Sequence, residues 1–384
     1  MYRKFLNLLV YVFAFIGFVL TMGFFAVRLH LTDVGGIVDA KSAQYQQVNQ
    51  VQTQTYQNLS EKEGKDKLST IVAQIAKLQE AKRGREIIYC QIDAVGKKFP
   101  TNARKIIEAY GVTSNDSIAK KMILAATIRM EDEPVVQAKL RQCQDTAEAI
   151  DVDEKSITET YAQAQGESLY AWVNQEEWKI IAEAILKDKD QIVKASAVAG
   201  IEPRMLVASA IVEQLRLFNS NRELFKKFFE PLKILGSANK ISLGIMGIKE
   251  NTAIQIENNV KDASSPYYLG TTMENVLDFQ SDPTISADRF ERLSSDRNHY
   301  PNYLYGAIYL KEMISQWEKA GYDIRYRPEI VGTLFNVGFP QSKPNPDPKV
   351  GGSEINVGVG KYSFGSLAYE FYYSGELLDV FPFK

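Results

Sequence analysis

One apolar helix constrains the fold of this chain more than any other feature. Residues 202–218 read EPRMLVASAIVEQLRLF, and Pro203 suits the first helical turn, where an N–H has no intrahelical partner. Apolar residues cover most of the helix circumference; they are Met205, Leu206, Ala210, Ile211, Val212, Leu215 and Leu217. A helix that is apolar on nearly every side is buried, so a domain must fold around it.

Glu213 is the one acidic residue in the interior of this helix. Burial disfavours the charged form of a carboxyl group, and a carboxyl that keeps its proton at neutral pH can act as a general acid. The alternative is structural: Glu213 lies on a wetter edge of the helix and pairs with Arg216 at i+3.

A glycine-rich stretch follows roughly thirty residues later. Residues 241–253 read ISLGIMGIKENTA, in which Gly244 and Gly247 permit a tight turn and the final Thr-Ala opens a new helix. Two further motifs come later in the chain. They are YGAIYL, with Gly306 and Tyr309-Leu310, and FNVG at residues 335–338.

These motifs, in this order, resemble those of lytic transglycosylases and goose-type lysozymes. The resemblance covers about residues 178–338 and implies a lysozyme-like α-helical domain. The chain departs from the family at two positions: Gly247 stands where the family carries glutamine, and Phe335 where it carries tyrosine. In the family the glutamine lines the sugar groove and the tyrosine hydroxyl lies near the catalytic glutamate, so both departures concern catalysis rather than fold.

The resemblance implies cleavage of peptidoglycan glycan strands with a single carboxyl group, whereas most glycoside hydrolases use two. Glu213 would protonate the oxygen between N-acetylmuramic acid and N-acetylglucosamine and then accept the proton of the muramic 6-hydroxyl. The implied glycan-binding residues are Ser242, Gly244, Met246, Asn336, Tyr267 and Tyr268. The two tyrosines would stack on sugar faces; packing within their loop is the alternative. No cofactor is implied.

Residues 5–27 carry no charge and are long enough to cross a bilayer. Basic residues precede this segment, while Arg28 is followed by Asp33 and Asp39, which favours a cytoplasmic N-terminus. We therefore expect a single-pass anchor in the inner (cytoplasmic) membrane, with the bulk of the chain periplasmic. A cleaved secretory signal is the alternative, although no A-x-A site follows.

Charge and histidine content exclude several kinds of site. The net charge is -2 and no long basic run occurs, so the electrostatic footprint of a nucleic-acid-binding protein is absent. The two histidines are His30 and His299, too few for a zinc cluster, and a serine triad would depend on His299. We expect no metal, since no motif marks an all-carboxylate site.

The sequence predicts a mainly α fold in four parts. They are the cytoplasmic N-terminus and transmembrane anchor 1–27, a stalk 28–60, a small helical bundle 61–165, and a lysozyme-like domain 170–384 with a minor β/loop extension. Within the last part we predict a helix over 178–198 ending at Gly200, and a hairpin around 354–361.

Cys90 and Cys143 are the two cysteines, each in a predicted helix of the bundle. In an exported protein an isolated pair forms a disulfide, and we predict one here. If the bundle faced the cytoplasm, two buried free thiols would be expected instead.

The leading hypothesis is a membrane-anchored peptidoglycan lytic transglycosylase with envelope protein partners on the helical bundle. An alternative is an inactive lysozyme-like domain that binds glycan or serves as a scaffold in a cell-envelope complex; Gly247 and Phe335 favour it. A third alternative is an anchored helical interaction protein.

Overall fold

The computed structural model describes residue 18 and residues 82–130, 132–144, 152–218, 244–279, 285–295, 297–357 and 360–383. These residues form thirteen α-helices and one two-stranded hairpin, which confirms the mainly α fold class. The predicted stalk 28–60 lies outside the described residues, as does the predicted anchor 5–27 except for residue 18.

The chain divides into two compact units. From residue 82 onwards, the first unit comprises the described residues of 188–323 and 334–344, and the second comprises the described residues of 82–187, 324–333 and 345–384. The predicted domain 170–384 has residues in both units.

The second unit begins with a group of helices. They are α1 (Lys82–Gly96), α2 (Pro100–Thr113), α3 (Asp116–Arg129), α4 (Pro134–Gln144), α5 (Glu154–Tyr161) and α6 (Glu176–Lys187). Helix α1 packs against α2, α3, α4 and α5. Two of the helices begin at a side-chain cap, since Asn115 accepts from the amide of Ser117 and Asp153 accepts from the amide of Lys155.

A disulfide joins two helices of the second unit. Cys90 on α1 and Cys143 on α4 are bonded, with their Cα atoms 5.7 Å apart, and both residues are buried. The predicted disulfide is therefore confirmed, and the alternative of two free thiols is wrong.

The second unit ends with the predicted hairpin and a buried helix. These elements are β1 (Glu354–Val357), β2 (Gly360–Ser363) and α13 (Phe364–Tyr373). The strands are antiparallel, and Glu354 pairs with Ser363. Helix α13 packs against β2 and α3, and its Glu370 accepts from Arg129 and from Trp172 Nε1, the latter at 3.0 Å. A buried charge is thus held by partners from two other elements.

The first unit is organised around one long helix. Its helices are α7 (Lys189–Ala199), α8 (Pro203–Phe218), α9 (Glu250–Asn259), α10 (Ile285–Ser294) and α11 (Tyr300–Lys319). Helix α11 contacts each of the other four, and most of its residues are buried. Helix α12 (Pro328–Val337) begins in the second unit and ends in the first. Helix α8 has the bounds and the burial on nearly every side that its sequence predicts.

The prediction of one helix over 178–198 is wrong, because the chain breaks at Asp188 into α6 and α7. Asp188 is 3% exposed, and its Oδ2 lies 2.5 Å from His299 Nδ1 and accepts from the Tyr303 hydroxyl at 3.1 Å. The residues that bind its carboxylate lie at the start of α11. The helical pattern of residues 178–198 alone does not show that such partners exist. The predicted end at Gly200 is confirmed, with a left-handed φ of 64°.

No single helix among the described residues has the length and hydropathy to cross a membrane. One pair, α7 and α8, meets those two criteria when taken together across a bend of 120°.

Candidate active site

Glu213 lies on α8 with 3% of its surface exposed. Both of its carboxylate oxygens accept from Arg216, with Nε 3.0 Å from Oε2 and Nη2 bonded to Oε1. Arg216 is itself only 8% exposed. The pairing expected as the structural alternative is therefore present, but it is buried rather than on a wet edge of the helix.

A glycine turn, Gly244–Gly247, packs directly against this carboxylate. The amide of Gly247 donates to the carbonyl of Gly244 at 3.1 Å, and both glycines have left-handed φ values, 64° and 59°. A β-carbon added to Gly247 would lie 2.5 Å from Glu213 Cδ and would overlap Oε1. Beside this contact, Gln214 Nε2 donates to the carbonyl of Ile245 at 2.7 Å. Helix α8 therefore holds the turn through two consecutive side chains.

Asn302 holds the same turn from α11. Its Oδ1 accepts from the amide of Met246 at 2.8 Å, and its Nδ2 donates to the carbonyl of Leu293 at 2.8 Å. Met246 also fills the space beside Gly306, where a β-carbon would lie 2.6 Å from Met246 Cε. Glycine is needed at position 306 because a larger residue would overlap the side chain of Met246. The sequence analysis did not identify Asn302. The one local sign of its role is that it is a polar residue on an otherwise apolar helix face.

Four aromatic residues, Tyr267, Tyr309, Phe335 and Phe339, form an aromatic cluster. The ring centroid of Tyr309 lies 5.4 Å from that of Phe335 and 4.7 Å from that of Phe339, and Tyr267 lies 4.6 Å from Phe339. The Tyr267 hydroxyl donates to the carbonyl of Phe339 at 3.1 Å. Phe335, at the position where the sequence resemblance would place a tyrosine, thus packs against the ring of Tyr309. It has no hydroxyl to offer a substrate.

The tyrosine loop, residues 262–270, carries both candidate stacking residues. Tyr267 packs into the aromatic cluster, and burial raises its pKa. Tyr268 is half-buried, and its hydroxyl is hydrogen-bonded to Glu274, which raises the pKa of Tyr268. Lys319 Nζ donates to the carbonyl of Tyr268 at 2.6 Å and so ties the loop to α11.

Among the other implied glycan-binding residues, Asn336 is half-buried near the end of α12, directly after Phe335. Ser242 lies outside the described residues. Gly244 and Met246 lie in the turn that contacts α8 through Ile245 and Gly247, and the amide of Met246 is bound by Asn302 of α11. The contacts above place Tyr267 in the aromatic cluster.

A second carboxyl group, Glu312, is buried on α11 and is fully shielded from solvent. Its Oε2 accepts from Asn259 Nδ2 at 3.3 Å, and its Oε1 has no hydrogen-bond partner within the described part of the chain. Desolvation raises the pKa of Glu312 well above its ordinary value, and the hydrogen bond from Asn259 opposes that shift only in part. No sequence motif marked this residue, because its surroundings come from elements distant in the chain.

His299 is engaged by Asp188 through Nδ1, the arrangement that a hydrolytic triad would also use. Within the described residues, however, no serine hydroxyl hydrogen-bonds to His299. Those residues also contain no group of three or more His, Cys, Asp or Glu side chains placed to hold a metal ion.

Comparison with known proteins found no relative of this chain. No family model matches the chain, and neither the curated proteins nor the solved structures contain a match.

Proposed function

We propose that the first unit acts on peptidoglycan glycan strands as a lytic transglycosylase, with Glu213 as its single acid and base. The observation that carries the proposal is the contact between Gly247 and Glu213. The glycine turn and the carboxylate were selected from separate parts of the sequence, and the fold puts them in van der Waals contact. Because Gly247 has no side chain, the backbone of the turn can approach the buried carboxyl group this closely.

The chemistry needs one proton donor that later becomes an acceptor. Glu213 would give its proton to the glycosidic oxygen as the bond to the muramic C1 breaks, and the substrate's acetamido group would support the developing cation. The muramic 6-hydroxyl would then attack C1 and pass its proton to Glu213. The product is a 1,6-anhydro end, and the enzyme returns to its starting state.

The ion pair between Glu213 and Arg216 favours a second candidate function. Both carboxylate oxygens are engaged by the guanidinium, so proton delivery requires the pair to open when substrate binds. If it does not open, the unit binds glycan without cutting it and serves as a scaffold. Phe335, whose ring packs against Tyr309, favours the same alternative because it lacks the family's hydroxyl.

The remaining parts of the proposal concern location and partners. Residues 5–27 would anchor the chain in the inner membrane, with the bulk of the protein in the periplasm, where peptidoglycan lies. The disulfide between Cys90 and Cys143 supports an oxidising compartment. The helices of the second unit would then be available to envelope proteins.

The test is digestion of purified peptidoglycan by the full-length protein, followed by mass spectrometry of the released fragments. Transglycosylation gives anhydromuropeptides about 18 Da lighter than hydrolysed ends, because intramolecular attack replaces water. Reducing ends alone would contradict the single-carboxyl mechanism. If the protein binds insoluble peptidoglycan but releases no fragment, the scaffold function would be established instead.

A further inference from the structure

Three hydrogen bonds form a relay from α11 to the tyrosine loop. Asn259 Nδ2 donates to Glu312 Oε2 at 3.3 Å, and Ser265 Oγ donates to Asn259 Oδ1 at 3.0 Å. The amide of Tyr267 then donates to Ser265 Oγ at 3.2 Å. The relay therefore begins at a buried carboxyl group and ends on the backbone of a candidate glycan-stacking residue.

The same loop is also held by a second side chain of α11. Lys319 lies seven residues after Glu312, about two helical turns along the same face. Its Nζ donates to the carbonyls of Tyr268, at 2.6 Å, and of Pro266, at 3.4 Å. Lys319 and the relay thus hold the loop at two places. Glu312, where the relay begins, is buried, whereas Lys319 is exposed.

Glu312 has surroundings suited to the uncharged carboxylic acid. Within the described residues no ion pair reaches it, and Asn259 is its one hydrogen-bond partner. The titratable groups that face it are the phenols of Tyr309, on its own helix, and Tyr267, on the tyrosine loop, and burial raises the pKa of both. An ionised carboxylate in this position would be shielded from solvent, with no cation beside it among the described residues.

We propose that Glu312 is a positioning residue that acts through Asn259 and Ser265 to hold the tyrosine loop against α11. The relay fixes the backbone on which Tyr267 and Tyr268 meet a glycan strand. Only this last part rests on the proposed function, since the positioning of the loop is a property of the fold.

The charge state of Glu312 governs the strength of this hold. When the carboxyl group loses its proton, the buried anion gains stability only by admitting water, and water between Glu312 and Asn259 breaks the first bond of the relay. Protection of the tyrosine loop from hydrogen exchange is therefore expected to fall as the pH rises.

The experiment is hydrogen exchange of the full-length protein, resolved to the peptide that contains residues 262–270. Glu312→Leu keeps the volume and removes the acceptor, so exchange of the loop should rise about tenfold, as expected for one lost, partly buried hydrogen bond. Glu312→Gln mimics the uncharged acid, so it should keep wild-type protection and abolish the pH dependence. Unchanged loop exchange in Glu312→Leu would overturn the proposal.

Two further variants guard against a general loss of stability. Ser265→Ala cuts the relay while leaving the buried carboxyl in place, and it should raise loop exchange by the same factor. Met313→Ala removes a fully buried neighbour on α11 that lies outside the relay, so it should leave local exchange of the loop unchanged. An equal effect from Met313→Ala, or none from Ser265→Ala, would contradict the positioning role.

Binding of the same variants to purified peptidoglycan separates the two proposals. If wild type binds and Glu312→Leu binds at least about tenfold more weakly, the relay positions a glycan-binding loop. If wild type does not bind but Glu312→Leu still loosens the loop, the proposed function fails and the positioning role stands.

Discussion

The backbone of Gly247 lies directly against the carboxylate of Glu213, so that a β-carbon at position 247 would overlap Oε1. The lysozyme-like family that the sequence resembles would carry glutamine at the corresponding position. In this chain a glutamine would have to displace Glu213 from Arg216 and would also occupy a backbone conformation, φ 59°, that side chains rarely adopt. The ion pair therefore requires glycine at position 247. Introducing glutamine there would also disturb Glu213 and Arg216.

Gly247→Ala should lower the free energy of unfolding by about 4–7 kcal/mol, the sum of left-handed strain and a disrupted buried pair. The matched control is Gly200→Ala, because Gly200 has a similar φ of 64° but no atom within 4 Å of the added β-carbon. That variant should lose only about 1–2 kcal/mol. Urea denaturation measures both, and equal losses would show that the contact with Glu213 contributes nothing.

Glu213→Gln removes the proton donor and half of the ion pair. Cleavage of peptidoglycan should fall by about 10²–10⁴-fold, as expected for lost acid–base catalysis. Because Arg216 loses its carboxylate partner in a buried site, stability should also fall by about 3–5 kcal/mol. The double variant Glu213→Gln with Arg216→Gln should lose less stability than the sum of the single changes. Additive losses, measured by denaturation, would mean that the two side chains are not coupled.

Glu312 should make the stability of the first unit depend on pH. Unfolded Glu312 releases its proton near the ordinary pH of about 4.3, whereas desolvation raises the pKa of folded Glu312, which therefore holds its proton to a higher pH. Between those two pKa values the unfolded state binds fewer protons. The free energy of unfolding therefore falls as the pH rises, by at most about 1.4 kcal/mol per pH unit.

Comparison with Glu312→Gln isolates this contribution. The variant should match wild type near about pH 4 and become increasingly more stable than wild type towards about pH 7. Glu183→Gln, at an exposed site on α6, should stay parallel to wild type throughout. Denaturation curves at several pH values measure the free energy of unfolding of each protein. A difference between Glu312→Gln and wild type that does not change with pH would show that folding does not shift the pKa of Glu312.

Reduction of the disulfide should destabilise the second unit. Cys90 and Cys143 are 53 residues apart, and the chain-entropy argument gives a contribution of about 4 kcal/mol for a loop of that size. Mass mapping without reductant should recover the two cysteines in one linked peptide pair, and a reductant should lower the denaturation midpoint. Recovery of both as alkylated free thiols from unreduced protein would contradict the structure.

Much of the fold follows from the sequence because the signals that define it are local. A continuous apolar surface with Pro203 at its start is enough to predict α8, and Gly200 is enough to end the preceding helix. The disulfide was predicted from the cysteine pair and the expected compartment. Of the candidate site, Glu213 and the glycine turn were chosen because the order of the motifs resembles that of the lysozyme-like family.

The tertiary structure decided what those residues meet, because burial and partners come from segments distant in the chain. Glu213 is both buried and ion-paired, a combination that neither sequence interpretation anticipated, and Gly247 reaches it from 34 positions away. Asp188 at the helix break is bound by His299, and the raised pKa of Glu312 comes from burial among distant elements, with no cation beside it among the described residues. Helical periodicity reports which face of a helix is apolar, whereas the charge state of a buried carboxyl depends on every element packed around it.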